Sequence, residues 1–101
     1  MAKVVNLLSP AQRMKLLQIP DDFPEREVVR YYALSPEDLD SIAEHRRSHN
    51  RLGFAVQLAY LRYPGRAWDP EEQIPPNILA YLARQIDEPP EVLAEYATRD
   101  P

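Results

Sequence analysis

The longest apolar run of the chain lies near its middle and covers nearly every face of a helix. One face, with helical spacing, carries Leu52, Ala55, Val56, Ala59 and Tyr63. The other faces carry Phe54, Leu58 and Leu61. Because a helix that is apolar all round is buried by its neighbours, this pattern predicts a central helix over residues 50–63. Asn50 is its expected N-cap, and Tyr63-Pro64-Gly65 is its expected stop.

Amphipathic segments on both sides of this run predict five further short helices, most of which begin at a serine or a proline. Their expected bounds lie near 10–18, 24–33, 36–46, 76–86 and 90–98. Strand and hairpin patterns are nearly absent. The sequence therefore predicts an all-α fold, a compact bundle of five to six short helices around a central apolar helix. The third and fourth helices would resemble a helix-turn-helix pair.

The same periodicity predicts which residues face inward. These are Val28, Val29, Tyr32, Leu39, Ile42, Ala43, Ile78, Leu79, Leu82, Ala83 and Ile86, with Leu52, Val56, Leu58 and Ala59 from the central helix. Tyr31, Tyr32 and Trp68 are expected to close the core with their polar tips near solvent, and the alternative is that they contact DNA sugars or another protein. Gly53 has two interpretations, close packing of another helix or close approach of the backbone to a ligand.

Composition adds few constraints of its own. A chain of 101 residues indicates one domain. It has no cysteine, which excludes disulfides and thiolate metal sites, and no apolar run approaches the length of a membrane span. We therefore expect a cytoplasmic protein that does not contact membranes.

Charge is distributed unevenly along the chain. Five arginines and no acidic residue lie between His45 and Arg66, whereas the segments 1–44 and 67–101 each carry eight acidic residues. One interpretation is a turn between two helices that contacts DNA phosphates, assisted by helix N-terminal amides. Its candidate DNA-binding residues are Arg46, Arg47, His49, Asn50, Arg51, Arg62 and Arg66. The alternative is that these arginines pair with Glu37, Asp38 and Asp40, or with the 69–72 loop.

Catalytic patterns are missing from the sequence. His45 and His49 are four residues apart, but the expected break near Ser48 separates them and no acidic ligand lies between them. Two exposed polar histidines are the simpler interpretation. The sequence also contains no glycine-rich phosphate loop. We therefore expect neither a metal, nor a cofactor, nor an enzymatic activity in this chain.

The string HNRLGFAVQLAYLRYPGR, from His49 to Arg66, resembles the N-terminal domain of Tn-three family transposases. The flanking strings LSPEDLDSIAEHRR and PPNILAYLARQIDEPPEVLAEYATRD are similar to the same domain in order and spacing. The resemblance extends from about Leu8 to Pro101. It implies that residues 1–101 are one helical domain at the N-terminus of a much longer transposase.

The resemblance also implies a function, namely recognition of the terminal inverted repeats of the transposon in double-stranded DNA. Strand cleavage and transfer would belong to a metal-dependent acidic triad far downstream. The alternative function is a protein–protein module, used for homodimerisation or for docking other domains of the same transposase. The acidic segments 69–72 and 87–95 favour this alternative.

Overall fold

A computed structural model describes residues 23–98, and the helix predicted near 10–18 lies outside this range. Within it the chain forms five α-helices, one 3-10 turn and no strand, which confirms the all-α prediction. The helices are α1 (Glu25–Tyr32), α2 (Pro36–Ala43), α3 (Ser48–Arg62), α4 (Pro76–Gln85) and α5 (Leu93–Thr98). The 3-10 turn, Pro90–Val92, directly precedes α5.

Helix α3 is the centre of the molecule, as predicted, because each of the other four α-helices packs against it. Its buried residues are His49, Leu52, Gly53, Ala55, Val56, Ala59 and Tyr60. The predicted start was wrong by two residues. The backbone amide of Arg51 donates to the carbonyl of Arg47, so Arg47 is the N-cap and Asn50 lies inside the first turn.

Six residues that were expected to face inward are not fully buried: Val29 and Ala43 are exposed, and Leu39, Leu58, Leu79 and Ile86 are half-buried. Val29 is 49% exposed, because Val28 and Tyr32 already form the inner face of α1. Ala43 is exposed as the last residue of α2, whose inner face is carried by the buried Ile42. Leu58 is only half-buried, whereas Tyr60, on a different face of α3, is buried. At Val29 and Ala43 periodicity allowed two neighbouring positions, and packing selected the other one.

The end of α3 follows the prediction and leads into an aromatic cluster. Tyr63 is extended, the Tyr63–Pro64 peptide bond is cis, and Gly65 has a φ of 96°, a conformation that favours glycine. The backbone amides of Gly65 and Arg66 both donate to the carbonyl of Tyr60. The ring of Tyr63 stacks on Tyr31 and Phe23 at centroid distances of 4.7 and 5.5 Å. The Tyr32 hydroxyl donates to the Tyr63 carbonyl at 2.9 Å.

The packing of Gly53 decides between its two interpretations. A Cβ atom added at Gly53 would lie 2.5 Å from two ring carbons of Tyr96 in α5. That ring also stacks on Trp68, with the centroids 5.9 Å apart. Trp68 is only 3% exposed, as the sequence predicted for it. The glycine therefore allows α5 to pack closely on α3.

Candidate nucleic-acid interface

A short connection between α2 and α3 carries the first two arginines of the acid-free segment. Helix α2 begins with a capping box, in which the Asp38 amide donates to Ser35 Oγ and the Ser35 amide donates to the Asp38 carboxylate. The helix ends at Ala43, about three residues earlier than predicted. Arg46 and Arg47 consequently lie in the connection rather than in the last turn of a helix, and both side chains are exposed.

Arg51 occupies a different environment, although it follows Arg47 by only four residues. Its Nε and Nη2 both donate to Oε2 of Glu88, and Nη2 also donates to Ser48 Oγ at 3.3 Å. Nη1 donates to the carbonyls of His45 and Arg46 at 3.1 and 2.9 Å. The Arg51 side chain is 26% exposed, so it is less accessible than Arg46 and Arg47, with which it was grouped as a DNA-binding candidate.

Arg62 and Arg66, at the other end of α3, each form an ion pair with a carboxylate. Arg62 Nη2 lies 2.6 Å from Asp38 Oδ1, and Arg66 Nη1 lies 2.6 Å from Glu72 Oε1. Donation from Arg62, with backbone and side-chain hydrogen bonds from Ser35, lowers the pKa of Asp38 to about 2. Arg66 likewise lowers the pKa of Glu72 below its ordinary value. Asp38 and Glu72 are two of the internal partners that the alternative interpretation named.

Glu88 is the ion-pair partner of Arg51 that sequence reasoning missed. It lies 37 positions from Arg51, after the end of α4, whereas the predicted partners were at 37–40 and 69–72. Hydrogen bonds from Arg51 and then Ser48 lower the pKa of the Glu88 carboxyl. No local signal marks this pairing, because only the packing of α4 and the following turn brings the two side chains together.

His45 and His49 do not form the exposed pair that was expected. His49 is buried, and the ring of His45 packs on Phe54 with the centroids 4.4 Å apart. Asn50 is half-buried in the first turn of α3. Across residues 23–98, no three histidine, aspartate or glutamate side chains are grouped so that they could hold a metal ion.

The chain is similar to known proteins over nearly its whole length. A profile described as a domain of unknown function, DUF4158, matches residues 7–101. Identity is 43% over 94 residues to the transposase for transposon Tn1546 of Enterococcus faecium, covering 93% of this chain and 9% of that protein. The transposase for transposon Tn501 of Pseudomonas aeruginosa is 37% identical over 94 residues, with the same coverage. The chain belongs to the DUF4158 family.

The DUF4158 match confirms the resemblance to the N-terminal region of Tn-three family transposases. A third relative, the transposase for transposon Tn3926 of Escherichia coli, is 40% identical over 95 residues, which cover 94% of this chain and 9% of that protein. The chain thus spans about a tenth of the length of these relatives. No helix within residues 23–98 is both long and apolar enough to span a membrane.

A second surface of this DUF4158 domain is acidic. An open cavity of about 500 Å³ lies there, between the loop after α3 and the 3-10 turn. Apolar side chains form much of the lining, including Trp68, Ile74, Leu79 and Leu93. Glu91 also lines the cavity and is exposed, and the exposed carboxylates Asp69, Glu71 and Glu95 lie nearby in the sequence. The segment that carries Arg46 and Arg47 contributes none of the lining residues.

Proposed function

We propose that this domain binds double-stranded DNA at the terminal inverted repeats of a transposon, as the N-terminal part of a longer transposase. The similar proteins are transposases, and they match this chain over 93% of its length or more. Strand cleavage and transfer belong, in this proposal, to the parts of the longer protein that this chain does not match. The domain contributes recognition and positioning of the DNA ends.

One observation carries the proposal at the level of residues. Arg46 and Arg47 are exposed at the N-terminal end of α3, and no salt bridge joins either to a carboxylate within residues 23–98. The backbone amides at the beginning of a helix carry a partial positive charge. No acidic residue within the first turn of α3 neutralises that charge. Two cations beside such a turn suit contacts to DNA phosphates, which fix the position of a protein on the duplex.

The other candidate residues have smaller roles in this proposal. Arg51, Arg62 and Arg66 already donate to carboxylates, and His49 is buried. Asn50 is half-buried in the first turn of α3, and its side-chain amide is of the kind that reads base edges. We propose that Arg46 and Arg47 supply the phosphate contacts and that Asn50 lies at the edge of the interface.

Binding measurements over a salt series test this assignment. The ligands are a duplex that carries the terminal repeat and a scrambled duplex of the same length. Each contacted phosphate contributes about −0.9 to the slope of log affinity against log salt, so Arg46→Ala and Arg47→Ala should each reduce the slope by about 1. Both variants should weaken binding to the two duplexes almost equally.

Arg30→Ala is the matched control, since the Arg30 side chain on α1 is 70% exposed and lies outside the acid-free segment. It should leave the slope unchanged. All three variants should keep the thermal unfolding midpoint of the parent protein, because exposed side chains contribute little to stability. An unchanged affinity and slope in the Arg46→Ala/Arg47→Ala double variant would refute the proposed interface.

The acidic cavity supports a second candidate, docking of another domain of the same transposase or of a second copy. An exposed apolar surface with a polar rim is typical of protein interfaces. Ala94→Arg would place a bulky cation at the cavity, and Ala80→Arg on the exposed part of α4 is its control. If this surface docks a partner, only Ala94→Arg should change the sedimentation of the chain or its binding to the downstream part of a relative.

A further inference from the structure

We propose that Arg51 and Glu88 form a positioning clamp that fixes the connection between α2 and α3, and that Arg51 does not itself contact DNA. This inference rests on the proposed function, because the clamp acts by holding Arg46 and Arg47 in place. It assigns a role to Glu88, a residue on an acidic segment that would otherwise oppose DNA binding. The clamp is defined by Arg51, Glu88 and Ser48.

The hydrogen bonds of Arg51 carry the argument. A guanidinium has five N–H donors and no acceptor. Arg51 makes five hydrogen bonds, two from Nη1, two from Nη2 and one from Nε, and each ends on an oxygen of this chain. A DNA phosphate or base edge could therefore bind Arg51 only after one of these bonds had broken.

The acceptors show what the clamp holds together. Two are the backbone carbonyls of His45 and Arg46 in the connection, and one is Ser48 Oγ at the first position of α3. The last is Glu88, whose own amide donates to the Ala83 carbonyl of α4 at 3.0 Å. One guanidinium thus joins the connection, the beginning of α3 and the end of α4.

The geometry also fixes where the neighbouring cations lie. Because the carbonyls of His45 and Arg46 are bound to Arg51, the backbone on both sides of Arg46 is held in one orientation. Glu88 is well placed to anchor this arrangement, since its side chain is only 11% exposed. Asp87 immediately before it has a φ of 58°, so the chain turns sharply out of α4 and directs residue 88 back towards α3. The exposed side chains of Arg46 and Arg47 are consequently presented from a rigid support.

The clamp and a direct DNA contact predict opposite effects of removing Glu88. If Arg51 contacted DNA, Glu88 would compete with phosphate, and Glu88→Ala would raise the affinity. If Arg51 positions the connection, Glu88→Ala frees the guanidinium and the connection loses its support, so the affinity falls. Arg51→Lys separates the same two roles, because lysine keeps the positive charge but cannot reproduce a forked set of five donors.

The experiment uses a DNA duplex of random sequence, since phosphate contacts do not depend on sequence, and measures affinity over a salt series for single and double variants. If the clamp positions the connection, three variants should each weaken DNA binding by about five- to tenfold, namely Glu88→Ala, Arg51→Lys and Arg51→Ala. The Arg51→Ala/Glu88→Ala double variant should bind DNA no more weakly than Arg51→Ala, because the effects of residues in one network do not add. The salt slope should fall towards that of the Arg46→Ala/Arg47→Ala variant. A loss of fold would reduce the active fraction of the protein without changing this slope.

Glu91→Ala is the control for charge, because it removes an exposed carboxylate three residues from Glu88 without touching the clamp. It should raise affinity slightly or leave it unchanged. In the unbound protein, amide hydrogen exchange at residues 45–48 should be faster in Glu88→Ala than in the parent. If Glu88→Ala folds poorly, Glu88→Gln is measured in its place. The affinity of Glu88→Gln for DNA should also be lower than that of the parent.

Two results would overturn the inference. One is tighter binding by Glu88→Ala or Glu88→Gln than by the parent, and the other is parental affinity and slope in Arg51→Lys. A different failure belongs to the proposed function. If the Arg46→Ala/Arg47→Ala variant binds DNA like the parent, the interface itself is misplaced, and the clamp then has no cations to position.

Discussion

The two ends of helix α3 carry the same kind of residue and use it in different ways. At the C-terminal end, Arg62 and Arg66 each pair with a carboxylate, and Tyr63 enters an aromatic cluster with Phe23 and Tyr31. At the N-terminal end, Arg46 and Arg47 are exposed in the connection, and Arg51 is the one arginine there that forms an ion pair within residues 23–98. The sequence shows one acid-free segment. The structure divides it into a paired end, which carries Arg62 and Arg66, and an open end, which carries the exposed Arg46 and Arg47.

This difference shows that the charges along a segment of the sequence do not by themselves predict the charge of the surface that the segment forms. Carboxylates from α2, the 69–72 loop and the turn after α4 reach three of the five arginines from positions 6 to 37 residues away. The remaining two, Arg46 and Arg47, are exposed and pair with no carboxylate within residues 23–98. A cation that stays exposed beside so many carboxylates is the better candidate for an external partner, which is why the open end carries the proposed interface.

The largest expected effect lies at the paired end. Tyr32 is fully buried there, and Tyr32→Ala should lower the free energy of unfolding by about 3–5 kcal/mol as a large-to-small core change. Tyr32→Phe is the matched variant, because it removes only the hydrogen bond to the Tyr63 carbonyl and should cost about 1 kcal/mol. Urea unfolding measures both. A loss below about 1 kcal/mol for Tyr32→Ala would show that the aromatic cluster contributes little and that the contrast between the ends is weak.

A smaller effect is expected at the second turn of α3, near the open end. Gly53→Ala should destabilise the fold by about 1–3 kcal/mol, because the new Cβ atom would overlap the Tyr96 ring. Tyr96→Ala makes room for that methyl group. Gly53→Ala should therefore cost much less in a Tyr96→Ala background, a coupling that thermal unfolding of the four proteins measures. Equal costs in the two backgrounds would contradict the packing of α5 on α3 described above.

The smallest effect concerns acid stability at the paired end. The folded pKa of Asp38 is about 2, below the value of about 4 expected when the chain is unfolded. A lowered folded pKa stabilises the native state above the unfolded pKa, and this contribution is lost as pH falls from about 4 to about 2. Asp38→Asn should be less stable than the parent at neutral pH, by about 1 kcal/mol, and should lose less stability on acidification.

Unfolding curves of both proteins at neutral pH and near pH 3 check this sign. Arg47→Ala is a useful companion, since it removes an exposed cation that pairs with no described carboxylate. Its acid sensitivity should match that of the parent. If Asp38→Asn and the parent lose the same stability on acidification, Asp38 is not held by Arg62 in solution, and the two ends of α3 differ less than the geometry indicates.

Local sequence signals determined most of the secondary structure. Ser35 caps α2 through the capping box that its spacing from Asp38 allows, and Tyr63-Pro64-Gly65 ends α3 as expected. Ile78 and Leu82 are buried as their helical spacing predicted. These features depend on residues within a few positions of one another, so the chain carries their physical causes locally. The start of α3 was misplaced because Asn50 is a good cap residue, yet the helical hydrogen bonds begin at Arg47.

The candidate site depended on tertiary structure. The sequence predicted that Arg46, Arg47 and Arg51 belong together, but only the packing of α4 against α3 brings Glu88 to Arg51 and separates that residue from the other two. Likewise, the sequence allowed Gly53 to face either a ligand or another helix. In the structure, the Tyr96 ring fills the space beside Gly53. Helical spacing specifies a face to within about 100°, but it does not specify what lies opposite that face. Ion pairs and close contacts depend on the opposing element, and for that reason the fold decided them.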